Sequence, residues 1–564
     1  MLPGALPGDP EAGNDVQDST ATAVVVQAPL GKTNRSLVSI ASIVAVATLI
    51  SKVFGLVRQQ AIAAAFGVGA VADAYNYAYV VPGFLLILLG GINGPFHSAI
   101  VSALAKRRRE ETAPLVETVT TLVGSVLLVV TILLLLFAEP MIDIVAPGLS
   151  KTPDGLVIRT IAIQQFQIMA PMAFLAGVIG IGFGTLNAAD QYWLPSISPL
   201  FSSASVILGL GILALVLGVD VITPRYALLG GQVLAWTTLL GALLQWLAQV
   251  IAAQRSGLSS FRLRFNLRQP GIGDVLKVMA PATFASGMLQ INVYTDLFFA
   301  SFLPQAAAAL GYAGLLVQTP LGIMSNMILV PLLPVFSRLT APEDQDELKQ
   351  RIRQGIMLTA LTMLPLAGLI IALAHLIVQV VYERFAFDRS ASNIVTNVLI
   401  AYGIGMFVYL ARDVIVRVFY GLGDAATPFR ISVVNIFLNA LLDYLLVTWF
   451  KAPGLVLATV GVNTISLVWM VWLLHRRLHG LPLWQWGWQI GLLTIVSGIA
   501  GSIAYGCVSL SERLLGTEGF LVHCVQLGLG GIAGLTIFSI LAMQCRIPEV
   551  TMLRDRLQQQ FFRR

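Results

Sequence analysis

Long apolar stretches without a single charge constrain this chain more than any other feature. Residues 118–138 (TVTTLVGSVLLVVTILLLLFA) carry no charged side chain, and neither do 200–219, 357–374 or 481–510. A helix needs about 20 apolar residues to cross the hydrocarbon core of a bilayer. Soluble domains are about 25% charged; this chain is 11% charged and 57% hydrophobic, with a mean hydropathy of +0.83. So little charge cannot clothe a surface in water. That excludes a cytosolic enzyme, a secreted disulfide scaffold and a disordered protein. Alternation of apolar and polar residues in ten-residue segments is absent, which argues against an outer-membrane barrel. An all-α polytopic membrane protein remains.

About fourteen spans are expected, near 37–67, 70–105, 114–139, 156–187, 191–218, 226–252, 272–303, 307–337, 354–381, 391–420, 427–450, 453–475, 484–510 and 519–545. Gly and Pro recur inside them, as membrane helices tolerate. The charge distribution supports the count. With the N-terminus inside, the outer segments hold Lys151, Arg225, Arg384, Arg389, Lys451 and Arg513, while more than twenty Lys and Arg fall on the inner side. Basic loops stay cytoplasmic, so both termini are expected there. Residues 1–35 are polar, carry Asp9, Glu11, Asp15 and Asp18, and read as a disordered cytoplasmic tail rather than a signal peptide. Two segments read as interfacial: the charged stretch 341–353, and 547–564, where Val550, Leu553, Leu557 and Phe561 recur at helical spacing among arginines.

An internal repeat organises the spans. Phe183-Gly184-Thr185-Leu186-Asn187-Ala188, then Pro195, echoes Tyr420-Gly421-Leu422-Gly423-Asp424-Ala425, then Pro428; Pro82 echoes Pro320 at a similar offset. This gives an N-terminal lobe over 36–253 (spans 1–6), a cytoplasmic linker over 254–271, a C-terminal lobe over 272–480 (spans 7–12), and two added spans over 481–546. Parallel repeats with a pathway between halves mark transporters. No enzyme is expected: GxxxxGK[ST], HExxH and GxSxG are all absent. Cys507, Cys524 and Cys545 form neither a CxxC nor a Cys/His cluster and read as small apolar fillers.

The chemistry therefore rests on ionisable residues inside spans, where an unpaired charge costs several kcal/mol. Lys52 and Arg58 lie six apart on span 1 around Gly55, and Asp73 opens span 2, where it can pair with either. Two cations and one anion suit an anionic head, and arginine in particular grips diphosphate through paired hydrogen bonds. The competing reading is snorkelling near a membrane face. In the C-terminal lobe, Asn439 and Asp443 stand i, i+4 on one face of span 11, with Asp296 in span 7 and Thr459 in span 12. This all-oxygen set suits a hard cation; a packing network with one protonated Asp is the alternative. On span 10, Asp413 and Arg417 are i, i+4 with Arg412 beside them. They read as a local ion pair or as a gate between lobes.

Ser51-Lys52-Val53-Phe54-Gly55-Leu56-Val57-Arg58, Phe66-Gly67-Val68-Gly69, Asp73-Ala74-Tyr75 and Pro82 together resemble the opening of the MurJ (MviN) family of the multidrug/oligosaccharidyl-lipid/polysaccharide exporter superfamily. Gln290-Ile291-Asn292 with Asp296, Pro320-Leu321-Gly322 through Pro334, and Arg412-Asp413 through Thr427-Pro428 resemble its later spans. The resemblance implies a lipid II flippase of the bacterial inner membrane, which carries undecaprenyl-diphosphate-linked peptidoglycan precursor to the outer leaflet. It implies two lobes rocking about a central cavity, and a lipid-tail groove at the last two spans. It further implies a sodium site at Asp296, Asn439, Asp443 and Thr459 with a carbonyl at Leu455, no other cofactor, and membrane lipids and cell-wall synthesis proteins as partners, with no nucleic acid. Lys52 stands where the family has arginine. Gly83-Phe84-Leu85-Leu86-Ile87, Gly90-Gly91 and Gly314-Leu315 stand where it often carries charge. Asn93, His97 and Gln318 are the candidates to supply hydrogen bonds there. A flippase for another polyprenyl-linked glycan shares the diphosphate chemistry and stays open. A MATE-like ion-coupled drug exporter would favour an acidic or aromatic cavity, and a scaffold without transport would not bury Arg58, Asp73, Asp296 and Asp443.

Overall fold

The computed structural model describes residues 37–551 except 92, 93, 106, 108, 261, 267, 340, 546 and 547. The expected N-terminal tail, nearly all of 547–564 and the candidate Asn93 lie outside the described residues. Among those described, every regular element is a helix. The N-terminal lobe holds α1 (Leu37–Phe66), α2 (Ala70–Gly90), α3 (Pro95–Leu104), α4 (Arg109–Leu136), α5 (Ala138–Val145), α6 (Pro153–Met169), α7 (Met172–Ala188), α8 (Trp193–Ile197), α9 (Pro199–Leu217) and α10 (Ala227–Arg255). The C-terminal lobe holds α11 (Ile272–Leu289), α12 (Ile291–Ala300), α13 (Ala306–Arg338), α14 (Gln345–Tyr382), α15 (Arg389–Gly421), α16 (Ala426–Phe450) and α17 (Ala452–Arg477). The pair α18 (Leu483–Leu515) and α19 (Phe520–Gln544) follows and packs on α14.

Among the described residues, eleven helical stretches are long and apolar enough to cross a bilayer, or twelve when α6 and α7, bent by 41°, count as one span. The expected fourteen is not reached on that measure. Spans 1 and 7 are helical as α1 and as α11–α12, the latter broken at Gln290 into pieces of 18 and 10 residues. The segment 341–353 is not a separate interfacial helix. After a short turn at Pro342–Asp344, its charged residues form the first turns of the 38-residue α14. Nothing between Gln345 and the apolar run breaks the helix, so the span continues into water.

The repeat is visible in the packing. Gly184 on α7 lets α3 approach: an added β-carbon would lie 2.8 Å from Ile100 Cβ and 2.9 Å from the His97 carbonyl oxygen. Gly421 on α15 does the same for α13, at 2.6 Å from Phe336 Cβ. Equivalent spans thus meet through equivalent glycines. Asp424 then ends the second copy. Partial burial pushes its carboxyl up, but the Thr427 N–H and hydroxyl and the Arg477 guanidinium outweigh that and hold it below the usual carboxylate range.

The lobes are sealed together at the end away from the basic loops. Asp73 at the start of α2 accepts from the backbone N–H of Gln305 and of Ala308, both at 2.8 Å. Tyr312 donates to the Gly67 carbonyl at 2.9 Å, the Ala386 N–H to Ala64 at 3.0 Å, and the Gly148 N–H to the Ser301 hydroxyl at 2.9 Å. Gly67, at φ +56°, leaves no room for a side chain, because a β-carbon would meet the Ala386 carbonyl oxygen at 2.4 Å.

Candidate functional site

Between the lobes, α1 and α13 face one another. Lys52 is exposed, and its Nζ lies 3.5 Å from where a β-carbon on Gly322 would stand, so it reaches across to the other lobe. Arg58 lies two turns further along α1, half-buried and close to Tyr75 on α2, with Nε buried and without a hydrogen-bond partner. An arginine in that state has bonding capacity to offer an anion. Gln318 is exposed on α13, one turn before Gly322. Gly314 lacks a side chain, and the Tyr402 hydroxyl approaches to 3.5 Å of its β-carbon position. A half-buried tyrosine thus borders the place where a charge was expected.

Asp73 does not pair with Lys52 or Arg58 as expected. Both of its oxygens are taken by α13 backbone N–H groups at the sealed end, where it acts as a helix cap supplied by another span. His97 is buried, and its Nε2 lies 2.8 Å from Asn187 Nδ2 on α7. Its partner is the repeat asparagine rather than a residue of the α1–α13 gap.

In the C-terminal lobe three helices converge. Asn439 donates its amide NH2 to Asp296 Oδ1 at 2.9 Å and to Asp443 Oδ2 at 2.8 Å. The Thr459 hydroxyl lies 3.3 Å from Asp296 Oδ2 and 3.4 Å from Asn439 Oδ1. Asn439 and Asp443 are fully buried, and Asp443 Oδ1 has no hydrogen-bond partner. Leu455, also fully buried, sits one turn before Thr459 on α17. Two carboxylates held by one amide, Asp443 fully buried and Asp296 half-buried, leave negative charge to be neutralised, and the free Asp443 oxygen is where a proton or a cation fits.

Asp413 pairs with Arg412 at 3.6 Å rather than with Arg417. Adjacent side chains on α15 meet here in place of the i, i+4 contact. Arg412 also points its Nε at Ser466 of α17 and its Nη2 at Ser432 of α16, each at 3.4 Å. These contacts stay inside one lobe.

Sequence reasoning missed the fastening of the linker. Glu117, buried on α4, meets Arg264 Nε at 2.6 Å and accepts from the Ser260 N–H at 2.9 Å and from its hydroxyl, while Thr121 accepts from the Arg264 N–H at 3.1 Å. A lone glutamate opening an otherwise uncharged span was the available signal.

Residues 62–525 match the family model "Lipid II flippase MurJ". The chain is 58% identical over 535 residues to "Probable lipid II flippase MurJ" of Synechocystis sp., covering 95% of this chain and 99% of that one. It is 28% identical over 427 residues to "Lipid II flippase MurJ" of Burkholderia cenocepacia, covering 74% and 79%. In fold it resembles the solved structure "Lipid II flippase MurJ, inward closed conformation" with a TM-score of 0.68, at 20% identity over 89% of this chain and 99% of that one. An inward-facing MATE family transporter of the MOP superfamily follows at a TM-score of 0.56 and 15% identity, covering 78% of this chain and 98% of that one. The protein whose lobes, cation-lined gap and buried carboxylate cluster are described above belongs to the MurJ lipid II flippase family.

Proposed function

We propose that this protein flips lipid II from the cytoplasmic to the outer leaflet of the bacterial inner membrane by alternating access. The observation that carries this reading is the pair Lys52 and Arg58 in the gap between lobes that are sealed at the opposite end. Lys52 already bridges to the other lobe, so a diphosphate held by Lys52 and Arg58 touches both halves at once. The basic loops favour an orientation with the termini in the cytoplasm and the seal on the outer side; in that orientation the diphosphate enters from within. No nucleotide-binding motif is present, so the energy comes from the membrane potential or an ion gradient. A sodium ion held by Asp296, Asn439, Asp443 and Thr459 would neutralise their charge and favour one arrangement of the C-terminal lobe.

Rescue of a strain depleted of its own lipid II flippase tests the reading. The wild-type chain restores growth; Arg58→Ala does not, although it inserts and accumulates normally. Full rescue by a normally accumulating Arg58→Ala protein removes the diphosphate assignment. The MATE-like alternative predicts instead drug resistance without rescue.

A further inference from the structure

A second cavity lies away from the gap between the lobes. It occupies about 430 Å³ within the N-terminal lobe, between α4, α7 and α10, and is roofed by the linker that joins the lobes. Its wall is mostly apolar, and it opens sideways: Leu128 on α4 and Leu263 and Phe265 on the linker line it while remaining 51%, 78% and 70% exposed. Exposed apolar side chains gathered around one opening mark an interaction surface.

Three observations point to one kind of occupant. Arg262 lines the mouth and is exposed beside Leu263, so positive charge and apolar surface alternate along the linker. The acid in the wall, Glu117, is already neutralised by Arg264, so the mouth keeps a net positive charge. Deeper in, Gln249 is 1% exposed, and its Oε1 has no hydrogen-bond partner; it lies where Gly182 leaves room, 2.4 Å from that residue's absent β-carbon position. A buried acceptor without a donor is costly, and here it lines a cavity that a ligand hydroxyl can reach.

We propose that this cavity binds an anionic phospholipid with a hydroxyl-bearing headgroup. The phosphate rests on Arg262, a headgroup hydroxyl donates to Gln249, and an acyl chain lies against Leu128 and Phe265. The assignment of the site to the cytoplasmic leaflet rests on the orientation proposed above; the binding itself does not. That leaflet is the one rich in anionic lipid. Because Glu117, Ser260 and Arg264 fasten the same linker, a lipid seated there braces the segment about which the lobes would move.

The test is lipid retention by the purified full-length chain, read by native mass spectrometry after delipidation and titration with phosphatidylglycerol or phosphatidylcholine. One phosphatidylglycerol is expected to bind more tightly than phosphatidylcholine. Arg262→Ala lowers its affinity about fivefold, the effect of one basic residue at an anionic surface. Ser125 on α4 also lines the cavity, and Ser125→Phe fills it and abolishes binding. Arg262 is exposed on the linker, so its loss leaves the fold intact even if Ser125→Phe disturbs packing. Equal retention of the two lipids overturns the proposal, as does undiminished phosphatidylglycerol binding by Arg262→Ala. Displacement of the bound lipid by a polyprenyl diphosphate also overturns it, since the cavity would then belong to the transported substrate. Failed rescue by the wild-type chain would remove the flippase reading and leave these binding results standing.

Discussion

Asp73 shows how a charge inside a span can be satisfied without another charge. Its two oxygens accept N–H groups that the first turn of α13 cannot use internally, and the positive end of that helix adds to the attraction. Asn at this position keeps one acceptor and turns an NH2 against a donor. Asp73→Asn is therefore expected to weaken the seal between the lobes by about 1–3 kcal/mol. A cysteine at Ala308, which is 1% exposed in the closed seal, reports it: an impermeant maleimide labels Ala308→Cys faster when Asp73→Asn is also present. Unchanged labelling would show that the other seal contacts suffice. The sequence made Asp73 conspicuous but not its partner, because that partner is a backbone 232 residues away. Asn439 and Asp443 were legible as a pair for the opposite reason: four residues apart on one helix, they must share a face. The same rule failed for Asp413 and Arg417, because Arg412 reaches Asp413 first.

Among elements, the α18–α19 pair depends on small residues rather than on the hydrophobic effect, which does not drive helices together in lipid. Gly501 brings α18 onto α14, with a β-carbon position 2.7 Å from the Gly368 carbonyl oxygen. Gly530 and Gly534 bring α19 against α18, with β-carbon positions 3.2 Å from the carbonyl oxygens of Ala504 and Ala500. Gly528 has open space around it. Gly501→Leu is expected to prise the pair from α14 and abolish rescue while the chain still accumulates, whereas Gly528→Leu rescues as wild type does. Equal behaviour of the two variants would mean that the seam carries no function. Span positions were largely legible, since hydrocarbon thickness fixes the length of an apolar run. Helix ends were less so. The start of α14 is charged and helical at once, and hydropathy alone marks only where the lipid begins. The break at Ala170-Pro171 likewise leaves the composition apolar while the axis bends by 41°.

Across the whole molecule, the seal between the lobes and the carboxylate cluster draw on the same short stretch of chain. Asp296 lies on α12, and the residues that follow α12 carry Ser301, bonded to Gly148 of the other lobe, and Gln305, bonded to Asp73. A change in how Asp296 is held therefore reaches the seal through about nine residues. Asn439 now keeps its NH2 between the two carboxylates, and Asp443 Oδ1 stays unpaired. A cation there would require the Asn439 amide to turn its oxygen inward; a proton on Asp443 would leave the amide as it is. These outcomes are separable. If the cluster takes sodium, the midpoint of thermal unfolding of the purified protein rises with sodium over choline at constant ionic strength, following RT ln(1 + [L]/Kd). Asp443→Asn removes that rise, because the amide replaces the second carboxylate that the charge requires. Sodium should also slow labelling of Ala308→Cys, or hasten it, in the wild-type background and not with Asp443→Asn. An unfolding midpoint indifferent to sodium, together with labelling that sodium leaves unchanged, would rule out the cation and leave a protonated Asp443 as the group that holds the C-terminal lobe neutral.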